Sequence, residues 1–392
     1  MIDTDEIMDE SDENESVQFK GDFKVTPWEV EGVVDYTKLV EDFGTHIITP
    51  DIIEKLKKFT GDIHPLFSLG FFFSHRDLDK IIEAYASGEN FYLYTGRGPS
   101  GQVHMGHLMP WLFTKYLQDR FGSKLLFQIT DDEKFLFNQD LSLDEVEKYT
   151  YENILDVIAV GFHQKLTRII IDSKDIKHMY PLYLEIAKRI TYSTAKSVFG
   201  YRPSSNIGMI GFPAIQAAPC FLPSLIERKP TRVLIPAAID QDPYWRITRD
   251  VAEKMGYYKP AQIHSKFVPS LEMSGKMSSS KPDSAIFTTD DPETIERKIS
   301  AAYTGGQPSV ALQRILGGDP DSCPVFWYLT HFFDSGKESR ERSLKCRTGN
   351  LLCGECKSDL TFQTKLFMSA FRRRREQAKK QIDSFLYDNN PL

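Results

Sequence analysis

The chain has 392 residues, 41% of them hydrophobic and 26% charged, with a formal net charge of −7, a globular composition with material for two or three domains. That balance excludes a wholly basic nucleic-acid binder, so any contact with RNA must come from a local cationic patch, and no apolar run approaches the roughly 20 residues that span a bilayer. Five cysteines, an odd number in a long chain, do not describe a disulfide framework and suit a reducing compartment. The acidic start Met1-Ile2-Asp3-Thr4-Asp5-Glu6 has neither the character of a secretory leader nor that of a transit peptide, so a cytoplasmic location is expected.

Residues 1–16, dominated by Asp, Glu, Asn and Ser, read as a disordered acidic tail. An N-terminal extension over 17–89 follows, with ordered sequence from about Phe19. It is expected to hold a short hairpin of 25–30 with Val33-Val34, anchored by Trp28, and helices over 52–59 and 78–86. Ser74-His75-Arg76-Asp77 resembles a capping box opening the second helix, which makes His75 part of a helix terminus and not a catalytic group.

From Asn90 strands and helices alternate, the pattern of a parallel α/β sheet, expected over 90–289. Phe91-Tyr92-Leu93 reads as the first strand, followed by the glycine-rich turn Tyr94-Thr95-Gly96-Arg97-Gly98-Pro99-Ser100-Gly101 and by a helix with Met105, Leu108, Leu112 and Tyr116 on its apolar face. Gly96, Gly98 and Gly101 let backbone approach a ligand, and a helix start offers unpaired N–H groups to anions, which together is phosphate chemistry. His104 and His107 fall on one side of the first helical turn, and Gly106 between them is expected to leave room for a nucleotide. Alone, this stretch reads equally well as turn glycines with surface histidines.

The second strand, 124–130, carries Gln128 inside an apolar run; a buried amide needs partners, so it is satisfied by neighbouring backbone or faces a ligand pocket. Its carboxyl end delivers Asp131-Asp132-Glu133-Lys134, where open α/β sheets bind ligands. Ser142 to Glu145 is a capping box for a helix ending at Gly161; 168–172 reads as a third strand and 179–198 as one helix. Gln216 stands alone among small and apolar residues, costly as a core amide and so a candidate ligand contact. After a strand over 232–236, Asp240 and Asp242 sit where a helix begins, as caps or, with Gln241, as groups in reach of ribose hydroxyls. A last strand, 264–268, precedes Gly275-Lys276-Met277-Ser278-Ser279-Ser280-Lys281-Pro282, a mobile loop by composition.

From 290 to 392 the pattern is helical: a start at Asp291-Pro292, an aromatic amphipathic segment 325–333 and a long helix 360–386. Arg372, Arg373, Arg374 and Arg375, with Lys379 and Lys380, form the strongest cationic feature, either a solvated helix face or a patch for an RNA backbone. Cys353-Gly354-Glu355-Cys356, with Cys346 upstream, has no fourth ligand at finger-like spacing, so no metal site is expected and Cys356 reads as a buried apolar residue.

His104-Met105-Gly106-His107 after a first strand, and Lys276-Met277-Ser278-Ser279-Ser280 in a late loop, together resemble the paired signatures of class I aminoacyl-tRNA synthetases. Thr130-Asp131-Asp132-Glu133-Lys134, Phe212-Pro213-Ala214-Ile215-Gln216-Ala217-Ala218-Pro219 and Ala238-Ile239-Asp240-Gln241-Asp242-Pro243-Tyr244 narrow the likeness to tryptophanyl-tRNA synthetases of the eukaryotic cytosolic type, from about Phe23 to near the C-terminus. The resemblance implies a Rossmann-type catalytic domain followed by a helical domain that binds the tRNA anticodon, in a cytoplasmic homodimer. It implies activation of L-tryptophan by ATP, with Mg²⁺, to tryptophanyl-adenylate and diphosphate, and transfer to tRNA(Trp) with release of AMP. It places His104, His107, Lys276 and Ser278 in catalysis, and Thr95, Gly96, Gly98, Gly106, Ile235, Ala237, Ala238, Gln241 and Met277 with them around ATP. Tyr94 and Gln128 fall to the indole N–H, Glu133, Gln216 and Gln241 to the α-ammonium or nearby, and the four arginines to tRNA.

The attacking carboxylate is already ionised, so the chemistry needs no general base and rests on positioning and on charge at the phosphate. A pocket that pairs the indole donor strands its own acceptor on phenylalanine, at a cost of a factor of roughly 10⁴ or more. Ser279 departs from the family, many of whose members have Lys there. Three other readings compete: a tyrosyl-tRNA synthetase, whose Tyr-x-x-x-Gln-x-x-Asp constellation is missing, since Lys196 follows Tyr192; a catalytically silent RNA-binding relative, opposed by the four catalytic side chains; and a small-molecule adenylyltransferase, which would not need the basic helical third.

Overall fold

Two strands, Leu125–Ile129 and Ala261–Ser265, are buried at every position, as strands covered on both faces must be. The computed structural model describes residues 23–25, 30–32, 34–272, 275–278 and 281–388; the acidic tail, Phe19, Trp28, Ser279 and Ser280 lie outside them. Within these residues β1 (Lys24–Val25) and β2 (Val30–Glu31) form a small ribbon. β3 (His46–Ile47), β4 (Phe72–Arg76), β5 (Phe91–Arg97), β6 (Leu125–Ile129), β7 (Thr167–Ile171), β8 (Arg232–Ala238) and β9 (Ala261–Ser265) form one sheet in the order β3-β4-β9-β8-β5-β6-β7. The five strands from β9 to β7 are parallel, and β3 and β4 add an antiparallel edge.

From β5 the chain winds outward to β6 and β7, then returns to place β8 on the other side of β5, a topological switch point. There the sheet opens. β5 pairs with β8 only over Phe91, Tyr92 and Leu93, yet it stays paired with β6 through Arg97↔Ile129, and β8 stays with β9 through Ala238↔Ser265. The carboxyl ends of β5 and β8 therefore diverge and leave a crevice.

Alternation along the strands divides what flanks it. Leu93, Leu125, Phe127 and Ile129 join the core that includes Trp111 and Phe113 of the helix Met105–Phe121 and Leu360 and Phe371 of the helix Cys353–Ala378. Tyr92, Tyr94, Leu126 and Ile170 join the core on the opposite face, with Phe212, Tyr244 and Trp245.

Several sequence expectations need correction. Among the described residues the hairpin pairs Val25 with Val30 and Lys24 with Glu31, so its second strand falls inside the segment expected to form the first; Val33 lies outside the described residues. His75 lies in β4, and Asp77, the residue before the helix Leu78–Ala86, makes no side-chain cap; His75 Nδ1 accepts the Leu78 N–H at 3.3 Å instead. Strands of the main sheet begin before Asn90, because β3 and β4 bring their own edges to β9. The single helix expected over 179–198 is two, Asp172–Ala187 and Tyr192–Phe199: Thr191 takes extended backbone and accepts the Thr194 N–H, starting a new helix. The last long helix is Cys353–Ala378, and the chain after it runs beside β7, where the Tyr387 N–H reaches Ile169 O at 2.9 Å.

Candidate active site

The crevice holds a cavity of about 390 Å³. His104 precedes the helix Met105–Phe121 in extended backbone, and its N–H donates to His107 Nδ1 at 3.2 Å. The two rings stack, 3.6 Å between centroids and 22° between planes. The Lys276 loop lies directly against this turn: the Gly106 N–H points at Met277 Sδ, 3.2 Å away, and the Met277 N–H bonds Val268 O at 2.9 Å. His104, Gly106, His107, Ala238, Lys276, Met277 and Ser278 all line the cavity, so the two distant signatures share one space.

Gly106 does not leave a gap between the histidines. A Cβ there would meet the His104 ring at 3.0 Å and Met277 Sδ at 3.4 Å, so the missing side chain makes room for loop and ring to close on each other. Gly96 and Gly98 answer to neighbours in the same way, with Gln128 O 2.9 Å and Lys134 Cε 2.1 Å from a built Cβ.

Burial pushes His104 down to about 3 and His107 well below the usual histidine range, with the Arg97 guanidinium adding to both. At neutral pH both rings are uncharged and act as hydrogen-bonding groups. Arg97 and Lys276 supply the positive charge. Burial lowers Arg97 to about 10, which still leaves it cationic at neutral pH. Its Nε donates to Asn153 Oδ1 at 3.1 Å while its Nη2 has no partner. Lys276 Nζ stands 3.6 Å from Asp240 Oδ2, and the other Asp240 oxygen, like His104 Nδ1, is unpartnered. Burial raises the Asp240 carboxyl, and the Lys276 ammonium works against that rise. The unpartnered Arg97 Nη2 donor, beside the Lys276 ammonium, suits an anion with several oxygens, with the His104 ring at its edge.

Arg97 received no role from the sequence; only its place between Gly96 and Gly98 marked it. Asp240 and Asp242 are not helix caps. Asp240 faces Lys276 and Gln241, whereas Asp242, fully buried, takes both arms of the Arg76 guanidinium at 2.7 and 2.8 Å and ties β4 to the helix Asp242–Ala252.

The other expected ligands gather on the opposite face of β5. Tyr94 Oη donates to Gln128 Oε1 and lies 3.0 Å from Gln216 O, and its ring meets Trp245 edge-on. Gln128 is satisfied by side chains and not by backbone: its Nε2 reaches both oxygens of Asp172, at 2.9 and 2.8 Å. Asp172 and Asp132 both have raised carboxyl pKa values: burial disfavours ionising either, and a neighbouring carboxylate adds to it, Asp132 for Asp172 and Asp131 for Asp132. Glu133 accepts from Thr130 Oγ1 at 2.8 Å and from Lys134 at 3.1 Å. Thr95 Oγ1 donates across the crevice to Pro236 O at 3.3 Å. Of the three β8 residues expected beside the base, Ala238 lines the cavity, while Ile235 and Ala237 pack into the Tyr94 core.

The arginine run is not a free cationic patch. Arg372 donates to Asp290 O, Arg374 to Ala159 O at 2.7 Å, and Arg375 to Asp156 at 3.0 Å and to Glu152. These side chains clamp their helix to the helix Leu143–Ala159 and its neighbours, and Arg373 alone of the four is exposed.

A Rossmann-type sheet with a His-x-Gly-His turn and a Lys-Met-Ser loop closed on one anion cavity defines a class I synthetase site, and residues 86–369 match the model of the class I tRNA synthetases for tryptophan and tyrosine (W and Y). The chain belongs to that family. Within it, the chain is 53% identical to the tryptophan--tRNA ligase of Pyrococcus abyssi over 93% of its own length and 94% of the relative's, and 49% identical to that of Pyrobaculum calidifontis over 93% and 97%. Among solved structures it superposes on the Plasmodium falciparum tryptophanyl-tRNA synthetase with a TM-score of 0.85 at 37% identity, covering 91% of this chain and 96% of that one. A product-bound parasite tRNA synthetase gives 0.87 at 38%, covering 92% and 98%.

Proposed function

We propose that this protein is a tryptophan--tRNA ligase that joins L-tryptophan to ATP as tryptophanyl-adenylate, with release of diphosphate, and passes the tryptophanyl group to tRNA(Trp). The observation that carries the reading is the division of β5. Arg97 at its end faces the cavity where the two signatures meet, while Tyr94 opens on the other side toward Gln128 and Gln216. A substrate reaching through the crevice from one face to the other would bring its carboxylate to the α-phosphorus.

In this scheme ATP arrives with its Mg²⁺, and its phosphates lie among His104, His107, Arg97, Lys276 and Ser278. The neutral imidazoles hydrogen-bond phosphate oxygens, and Lys276, on a loop, follows negative charge onto the departing diphosphate. Tyr94 and Gln128 receive the indole N–H, held by the bond from Gln128 to Asp172; Glu133, Gln216 and Gln241 take the α-ammonium side. Residues 290–392 form the anticodon-binding region, after an N-terminal extension over 17–89 and a catalytic unit over 90–289. The protein works in the cytoplasm as a homodimer; exposed Tyr180 and Leu184, one helical turn apart, with Tyr192 and Ile207, offer apolar surface for a second copy.

Amino-acid-dependent exchange of diphosphate into ATP, run with all twenty amino acids, tests this directly. Exchange with tryptophan alone is expected. Exchange with tyrosine, or with none, would sink it.

A further inference from the structure

A pocket that singles out tryptophan from phenylalanine must offer an acceptor to the ring N–H. Both side chains expected there can donate as well as accept. Tyr94 Oη has one proton and two acceptors around it, Gln128 Oε1 and, at 3.0 Å, Gln216 O. The Gln128 amide carries an oxygen and an NH₂ group at equivalent ends, so turning it by half a rotation would exchange an acceptor for a donor. An NH₂ group turned toward the substrate would oppose the indole N–H.

Asp172 is the group that forbids this turn. β5 and β6 are in register at Tyr94↔Leu126, and β6 and β7 at Gln128↔Ile170, so Tyr94, Gln128 and Ile170 share one face of the sheet. Asp172 follows Ile170 by two residues and opens the helix Asp172–Ala187, and Gln128 Nε2 stands 2.9 and 2.8 Å from its two oxygens. With acceptors at both of those positions, the NH₂ group points at Asp172 and Oε1 is left for Tyr94. Tyr94 and Asp172 are 1% exposed and Gln128 is fully buried, so water does not stand in for either partner.

Asp172 is itself held in place. Asp132 hydrogen-bonds it, and the N–H of the next residue, Ser173, donates to Asp131 Oδ1 at 3.0 Å. Burial and the Asp132 carboxylate raise the Asp172 carboxyl. A proton taken up there would be directed at Asp132, and both Asp172 oxygens would keep lone pairs for the amide.

We propose, on the basis of the tryptophan-activating function above, that Asp172 sets the pocket's preference for an N–H donor by fixing the Gln128 amide with Oε1 toward Tyr94 and the substrate. Asp172 is a positioning residue: it acts through Gln128 and does not touch tryptophan. Asparagine has nearly the shape of aspartate but can present either a donor or an acceptor, and would leave the amide free to turn.

The full-length protein is titrated calorimetrically with L-tryptophan and with 3-(3-benzothienyl)alanine, which has sulfur in place of the ring N–H. Asp172→Asn should weaken tryptophan by at least about tenfold, as expected for a buried donor left without its partner, and change the sulfur analogue by no more than about twofold. Retained binding of the analogue reports that the pocket is folded. Adding Gln128→Glu to Asp172→Asn supplies a carboxylate that needs no orienting and can accept from the new amide, and should restore most of the preference for tryptophan. Equal weakening of both ligands by Asp172→Asn, an unchanged preference, or a double variant without recovery overturns the role of Asp172 alone. Wild-type protein that binds tryptophan no better than the analogue would refute the tryptophan reading, and this role with it.

Discussion

Lys276→Ala separates the holding of a substrate from the stabilising of a transition state. Lys276 Nζ stands 3.6 Å from Asp240 Oδ2, a gross attraction of about 5 kcal/mol at an effective dielectric of about 20, much of it offset by desolvation. In the proposed reaction the same charge meets the leaving diphosphate. Removing one preorganised group from a developing charge costs on the order of 10²–10³ in rate, about 2.7–4 kcal/mol. Tyr94 and Gln128 do not line the cavity that contains Lys276, so tryptophan affinity should change by no more than about twofold, as for distant independent sites. Rapid-quench measurement of adenylate formation gives the first quantity and equilibrium dialysis the second. The substitution also strands the Asp240 carboxyl, already raised by burial. If that were the cause, adding Asp240→Asn would restore the rate; with the lysine as phosphate ligand it does not. A tryptophan affinity that falls by the same factor as the rate would refute the reasoning.

Gln128→Ala removes the acceptor of Tyr94 Oη and the donor to Asp172; discrimination against phenylalanine, read as the ratio of kcat/KM values, should fall by at least about tenfold, and an unchanged ratio would take Gln128 out of the pocket. Arg76→Ala leaves Asp242 buried without its bidentate partner, a loss of about 3–5 kcal/mol by urea unfolding at neutral pH. The pH dependence has a fixed sign. Arg76 and His264 hold the folded Asp242 pKa below its ordinary 3.8, so the pair's stabilisation is complete above 3.8 and is lost as pH falls toward the folded value. The gap between wild type and variant should narrow in acid, and a gap independent of pH would argue against the pair. Arg375→Ala should lower stability by about 3–5 kcal/mol, because Asp156 is left buried without its cation, while Arg373→Ala, an exposed change, should stay within about 0.5 kcal/mol. Equal effects in thermal unfolding would contradict the clamp.

Much of the fold could be read before any coordinates, wherever local periodicity and tertiary environment agree. The helix after Ser142 is one case, where a capping box and an apolar stripe point the same way. Strand boundaries and the helix break at Thr191 were not legible, because there a single cap hydrogen bond outweighs a continuing apolar pattern. The site divided along similar lines. The histidine turn and the lysine loop were marked by residue type and order, and they do line one cavity. Their contact through Gly106 and Met277 was not marked, because packing between segments far apart in the chain leaves no local signal.

Charged residues are where sequence alone misled. Arg374 and Arg375 read as a solvated helix face or an RNA patch, and Asp242 as a cap or a ribose contact, since an isolated ionisable side chain is solvated by default. Burial reverses that default, because a charge removed from water must find a partner: Arg375 takes Asp156, and Asp242 takes Arg76. Residue identities determined the parallel sheet, the glycine-rich turn with its two histidines and the family. Only the tertiary structure decided that β5 and β8 part after Leu93, and that Arg97 faces the cavity shared by the two signatures while Tyr94 faces the opposite core. Those outcomes depend on which distant segments share a volume, a property of the assembled chain that no stretch of it contains.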